Sequence, residues 1–358
     1  MPPLPSDFDP DAPADAEGGL FGLTTSPEEA GVRVLGLPFD ATTSYRRGTA
    51  LGPAAVLAAS HQIDLLDVQQ RDWTGGDGRP WAAGVHFELD EQVATWNEEA
   101  VPLATAIIER GGRIGDDATL LRSIERVEAI GTALNDRVEA WTAARLAAGQ
   151  IPALLGGDHS VPLGALVAAA RAHPGLGVLH VDAHADLRPA FEGFRWSHAS
   201  ILHNVLAEAP GLGQVLSIGL RDLGEVELAR LDASAGSVRP IFGHAWAALR
   251  ARGADLVEVV AKEIARLPDE VWITFDIDGL EPAWCPNTGT PVPGGLTWDE
   301  ALLWIGGVVD SGRRIVGFDL CEVGPGEAPQ TDTDGWDAIV GARLLYKLIG
   351  AAVASRRG

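Results

Sequence analysis

Three apolar runs, Ile151 to Leu155, Gly177 to Val181 and Val271 to Phe275, each end in a short cluster of acidic and imidazole side chains. The clusters are Gly156-Gly157-Asp158-His159-Ser160, Asp182-Ala183-His184-Ala185-Asp186 and Asp276-Ile277-Asp278. Runs this uniformly apolar are the mark of parallel strands buried on both faces. Ionisable groups at their ends are costly unless they are paired or bound to a cation. Residues two apart on an extended chain point the same way, so Asp182, His184 and Asp186 aim at one point, as do Asp276 and Asp278. In open α/β sheets the carboxyl ends of the strands are where ligand sites are built.

Taken singly, an Asp-x-Asp is often two solvated loop carboxylates, and Gly-Gly-Asp-His can be a turn with a helix cap. Three such clusters at three strand ends define a candidate ligand set of two imidazoles and four carboxylates: His159, Asp182, His184, Asp186, Asp276 and Asp278. That set is harder and richer in oxygen than a structural zinc site, and suits manganese, nickel, cobalt or iron. Carboxylates can bridge, so six side chains suffice for two ions roughly 3.5 Å apart, the arrangement of a two-metal hydrolytic site.

The remaining chain alternates strand and helix. Strands are predicted at Val32 to Leu37, Val215 to Ile218 and Ile315 to Leu320. Helices are predicted at Pro53 to Gln62, Thr119 to Ala148 (the longest), Val161 to Ala170, Ile201 to Ala207, Leu256 to Arg266, Trp298 to Val309 and Trp336 to Leu348. An acidic, Trp-bearing stretch from Gln69 to Val101 has no assignable pattern. The alternation demands right-handed crossovers and a mainly parallel sheet covered on both faces, a three-layer α/β/α fold. Because the motifs converge on one site, residues 31–358 are expected to form one domain. Residues 1–30, rich in Pro, Asp, Ala and Gly, read as a flexible arm whose Gly19-Leu20-Phe21-Gly22-Leu23 patch can dock on a neighbouring subunit or on its own fold.

The formal net charge of −23 argues against nucleic acid and anionic membranes as partners. No stretch approaches the roughly 20 apolar residues of a membrane span. Two cysteines, Cys285 and Cys321, are too few for a disulfide framework, and no apolar N-terminal signal is present, so a cytoplasmic setting is expected.

These motifs in this order resemble the ureohydrolases, the family of arginase, agmatinase, guanidinobutyrase and formimidoylglutamase, from about Val32 to Leu348. The third cluster extends the likeness as Thr274-Phe275-Asp276-Ile277-Asp278-Gly279-Leu280-Glu281-Pro282, and Pro38 to Thr49 with Gly52-Pro53 is similar to the N-terminal signature of the agmatinase branch. The resemblance implies that His159, Asp182, Asp186 and Asp276 hold one divalent ion and Asp182, His184, Asp276 and Asp278 the other, as Mn2+ or Ni2+. It also implies that His198, in Trp196-Ser197-His198-Ala199-Ser200, relays a proton to the leaving amine. Asp186 would orient the attacking hydroxide, and Glu322 would grip a substrate guanidinium. A trimer or hexamer of identical chains is the expected assembly.

The chain departs from the agmatinase pattern where substrate tails are met. Ala199-Ser200-Ile201-Leu202 replaces the usual Gly-Thr-Pro-Phe, and Trp196 and Trp284 add aromatic bulk. These departures lead us to expect a guanidino substrate with a short or apolar tail, such as guanidine or an alkylguanidine, with agmatine and guanidinobutyrate as alternatives. A one-zinc amidohydrolase of the related deacetylase fold is disfavoured by the full carboxylate set. A non-catalytic partner subunit is disfavoured because no ligand is missing.

Overall fold

The computed structural model describes residues 8–326, apart from 16 and 210, and residues 335–357. Residues 1–7 of the expected arm lie outside the described residues. Eight parallel strands form one sheet: β1 (Val32–Leu37), β2 (Val85–Leu89), β3 (Ile151–Gly156), β4 (Gly177–Val181), β5 (Val215–Leu220), β6 (Val238–Phe242), β7 (Glu270–Asp276) and β8 (Arg314–Cys321). Their spatial order is β2-β1-β3-β8-β7-β4-β5-β6. The order puts β3, β8, β7 and β4 side by side at the centre, so the three sequence clusters emerge from neighbouring strand ends.

Strand periodicity divides the core into two layers. On one face lie Val32, Val34, Leu179, Val181, Ile273, Phe275, Phe318 and Leu320. On the other lie Leu35, Leu37, Leu154, Val178, Trp272 and Val316. Helices α1 (Gly52–Ser60), α8 (Leu256–Ile264), α9 (Trp298–Asp310) and α10 (Trp336–Ala354) cover the first layer. Helices α2 (Glu91–Ile108), α3 (Ala118–Ala147), α4 (Leu163–Ala172) and α5 (Ile201–Glu208) cover the second. This is the expected three-layer α/β/α architecture, with a sheet that is entirely parallel.

Side-chain caps set four of these helix starts, α2, α3, α8 and α9. Asp117 accepts from the backbone N–H of Thr119 and Leu120 to open α3, and Asp90 does the same for Gln92 and Val93 at α2. The unassigned stretch from Gln69 to Val101 contains two short 3-10 turns, edge strand β2 and the start of α2. Three further elements were not anticipated: α6 (Glu225–Ala233), edge strand β6 and α7 (Gly243–Ala251). Leu20, Phe21 and Leu23 are buried in the first core layer. There the Phe21 N–H donates to Ser60 Oγ at 2.8 Å and its ring meets the edge of Tyr346 at 4.7 Å. No described helix is long and apolar enough to cross a membrane.

Candidate metal centre

The ligand cluster grows directly from strand parity. His180 and Asp182 follow Val178 on one face of β4 and its extension, while Thr274 and Asp276 follow Trp272 on the same face of β7. The loop after β3 folds back so closely that a Cβ on Gly157 would collide with the Phe39 carbonyl, and this brings His159 over the strand ends. His159 Nδ1 then lies 3.0 Å from Asp182 Oδ2, 3.5 Å from Asp186 Oδ2 and 3.4 Å from Asp276 Oδ2. On the other side His184 Nδ1 is 3.4 Å from Asp182 Oδ1 and 3.1 Å from Asp278 Oδ2. Asp182 therefore turns one oxygen to each histidine, the disposition a bridging carboxylate needs. All six residues singled out in the sequence meet at one place.

Hydrogen bonds beneath the cluster fix how these side chains face it. Trp272 Nε1 donates to Asp319 Oδ2 at 2.7 Å, and Thr274 Oγ1 donates to Asp319 Oδ1 at 2.8 Å. With its one proton spent there, the Thr274 hydroxyl accepts from His159 Nε2 at 2.9 Å, which leaves Nδ1 as the ring nitrogen that faces the carboxylates. Asp276 Oδ1 accepts the Asp278 N–H and Asp278 Oδ1 the Ala183 N–H, so the second oxygen of each faces the cluster, that of Asp278 also accepting from Thr290 Oγ1 at 3.3 Å. Trp272→Phe is expected to leave Asp319 Oδ2 buried and unpaired, costing about 1–3 kcal/mol of stability. A denaturant titration in which the variant matched the parent would remove Trp272 from this support.

The electrostatics are those of crowded, buried carboxylates. Burial, then the charges of Asp278, Asp182 and Glu322, holds Asp276 well above the usual carboxylate range. Burial and Asp182 push Asp186 to about 6, and burial and Glu322 do the same to Asp158. Asp182 goes the other way: burial would raise it, but hydrogen bonds from His159, His180 and His184 hold it well below. For His184 burial disfavours the charged form, yet Asp278 and Asp182 lift it to about 12. Donor groups this rich in negative charge, His159, His180, Asp182 and Asp186 on one side and Asp182, His184 and Asp278 on the other, each with its ligand atoms within 4.8 Å of one another, fit divalent cations.

Beside the cluster, His198 stands between two partners. Its Nε2 lies 3.1 Å from Ser44 Oγ, and its Nδ1 lies 3.4 Å from Glu322 Oε1. Glu322 follows the end of β8 and accepts the His159 N–H through Oε1 at 3.1 Å. Its Oε2 is buried and has no hydrogen-bond partner among the described residues. Gly289 faces that oxygen, and a Cβ there would come within 3.1 Å of it. Asp186 and Glu322 both adopt left-handed backbone, at φ 52° and 63°, a conformation that costs about 1 kcal/mol or more and gathers at functional sites.

The two aromatic residues expected near the substrate tail pack elsewhere. Trp196 lies on α3, with its indole against Gly131 and its Nε1 donating to Thr132 Oγ1. Trp284 stacks with Trp336 at 5.9 Å and meets Trp298 at 5.8 Å, next to α9 and α10. Conversely, His180, Thr274 and Asp319 belong to the site's framework and were not singled out. His180 Nε2 is 3.0 Å from Asp182 Oδ2, and its position two residues before Asp182 was the available signal.

A parallel α/β/α sheet with aspartates and histidines gathered at its central strand ends defines an arginase-like protein. The Arginase family model matches residues 30–350, and the chain belongs to that family of ureohydrolases. It is 30% identical to N(1)-aminopropylagmatine ureohydrolase of Thermus thermophilus, over 92% of this chain and 94% of that protein. It is also 30% identical to guanidinobutyrase of Pseudomonas aeruginosa, over 88% and 84%. Among solved structures, agmatine ureohydrolase of Thermoplasma volcanium superposes with a TM-score of 0.68 at 25% identity, covering 98% of this chain and 96% of that one.

Proposed function

We propose that this chain hydrolyses a C–N bond of a guanidino compound to give urea and an amine or ammonia. The observation that carries the reading is Glu322 Oε2, a buried carboxylate oxygen without a partner beside the Asp/His cluster. A guanidinium is the planar cation whose paired N–H groups match a carboxylate. Two divalent cations, Mn2+ or Ni2+, would be held by His159, Asp182, Asp186 and Asp276 and by Asp182, His184, Asp276 and Asp278. Bound there, they would supply Lewis acidity and acidify water.

The chain's own groups supply the remainder. Glu322 orients the trigonal carbon of the substrate. Asp186 takes a hydrogen bond from the attacking water and aims it. His198, fixed by Ser44 at one nitrogen, turns its other nitrogen to the Glu322 side of the pocket and gives its proton to the departing nitrogen. The substrate tail is short in this reading, because the segment after β1 and the loop carrying His198 close on each other through Ser44 and His198. A cytoplasmic homo-oligomer, trimer or hexamer, completes the proposal.

Reconstituting metal-stripped protein with Mn2+, Ni2+ or Zn2+ and measuring urea release from guanidine, methylguanidine, agmatine, guanidinobutyrate and arginine tests it. Manganese is expected to be the best activator if an agmatine-sized substrate wins, and nickel if guanidine does. Zinc as best activator, or no urea from any compound, would overturn the reading.

A further inference from the structure

Two charged side chains near the site are not used by the proposed chemistry: Arg47, within electrostatic reach of Asp158, and Glu192, within electrostatic reach of His198. Arg47 comes from the segment after β1, three residues beyond the Ser44 that touches His198. Glu192 comes from the turn closed by paired backbone hydrogen bonds between Phe191 and Phe194, six residues before His198. Both backbones are held in place. Asp40 Oδ2 accepts the N–H of Gly48 at 2.8 Å and of Ala50 at 3.2 Å, which pins the loop around Arg47. Glu192 sits at φ 49° with Gly112 packed against its backbone.

Their charged ends are nevertheless unmatched. Arg47 Nη1 and Nη2 and Glu192 Oε2 are buried and have no hydrogen-bond partner among the described residues. The carboxylates within electrostatic reach of Arg47 are Asp40, Asp158 and Glu192. Asp40 is occupied by Gly48, Ala50 and Asn97, and Asp158 by Thr42 and Ser160. Glu192 forms no ion pair with Arg47 among the described residues. Of the two unmatched groups, Glu192 can relieve its burial by taking a proton, whereas a guanidinium cannot shed its charge. Arg47 is thus the group that requires an outside partner, and its planar fork selects a carboxylate.

We infer that Arg47 reads the substrate's tail and receives a carboxylate there, which makes the preferred substrate a short guanidino acid. This rests on the reading of the chain as a guanidino-compound hydrolase and adds the chemistry of the tail. Arg47 is a specificity residue, remote from the bond that breaks. Glu192, within electrostatic reach of Arg47, opposes a second carboxylate.

Specificity constants for guanidinobutyrate, agmatine and propylguanidine, which end in a carboxylate, an ammonium and a methyl group, provide the test in the parent, Arg47→Gln, Arg47→Lys and Glu192→Gln. The parent is expected to favour guanidinobutyrate over propylguanidine by roughly 10- to 100-fold, the range for a hydrogen bond to a charged group. Arg47→Gln should abolish that preference through KM while leaving propylguanidine turnover within about threefold, and Arg47→Lys should restore part of it. Glu192→Gln should keep or raise it. A preference unchanged in Arg47→Gln overturns the assignment, as does a parent that prefers agmatine and loses that preference in Glu192→Gln. Cleavage of propylguanidine with no preference for the acid overturns the tail assignment alone, and cleavage of none of the three overturns the proposed function with it.

Discussion

Asp276→Asn and Asp182→Asn are each expected to empty the metal centre and abolish urea release, yet to move the metal-free protein in opposite directions. Each carboxylate is assigned to both ions, so its loss weakens two coordination spheres at once. That loss should exceed the roughly 10–100-fold drop in metal affinity caused by changing a supporting partner. Without metal the two positions differ. Asp276 is held well above its ordinary range by burial and by Asp278, Asp182 and Glu322, so its ionised form opposes folding near neutral pH. Its replacement by a neutral amide should leave the stripped protein as stable or more so. Asp182 is held below its range by hydrogen bonds from His159, His180 and His184 that outweigh burial, so its replacement should lower stability. Metal content per chain and the melting temperature of the stripped variants decide the matter. Two ions retained by both variants with near-normal turnover would remove Asp182 and Asp276 from the ligand set.

Legibility of this fold in its sequence followed burial. Strands β3, β4 and β7 sit inside the sheet, meet apolar layers on both faces, and so read as largely apolar runs. The edge strands read differently. In β2 the residues after Val85 are half-buried and include His86 and Glu88, and β6, the other edge, carries Arg239 and Pro240. A search for apolar runs passes over both. The Gly19 to Leu23 patch docks on its own fold, one of the two sites expected for it, but its partners Ser60 and Tyr346 could not be named because they are far along the chain.

The same division runs through the site. Asp182, His184, Asp186, Asp276 and Asp278 were legible because strand parity converts sequence spacing into direction. His180 and Thr274 obey that parity, but each was hidden inside an apolar run. Trp196 and Trp284 were expected at the substrate tail from their place in the chain, and tertiary packing turned one onto α3 and the other into a tryptophan cluster. Arg47 and Glu192 could not be paired from sequence. They lie far apart in the chain, and the contact between Ser44 and His198 joins their segments.

His198→Ala is expected to slow turnover by roughly 10²–10⁴-fold, the usual worth of a positioned general acid, with metal content unchanged. The expectation follows from where the imidazole stands. Burial alone would strip its proton, but the hydrogen bond and charge of Glu322, reinforced by Asp158 and Asp186, raise its pKa above the ordinary value. An acid must carry its proton to deliver it, so activity should fall as pH rises through the raised pKa. In the alanine variant that alkaline limb should vanish, leaving a lower and flatter profile. A role confined to packing would reduce activity equally at every pH. Ser44→Ala offers a milder check, since it removes the hydroxyl 3.1 Å from His198 Nε2 and leaves the imidazole in place. It should slow turnover far less and keep the limb. Loss of metal from His198→Ala would instead make the residue a ligand, and an unchanged rate would make it a bystander.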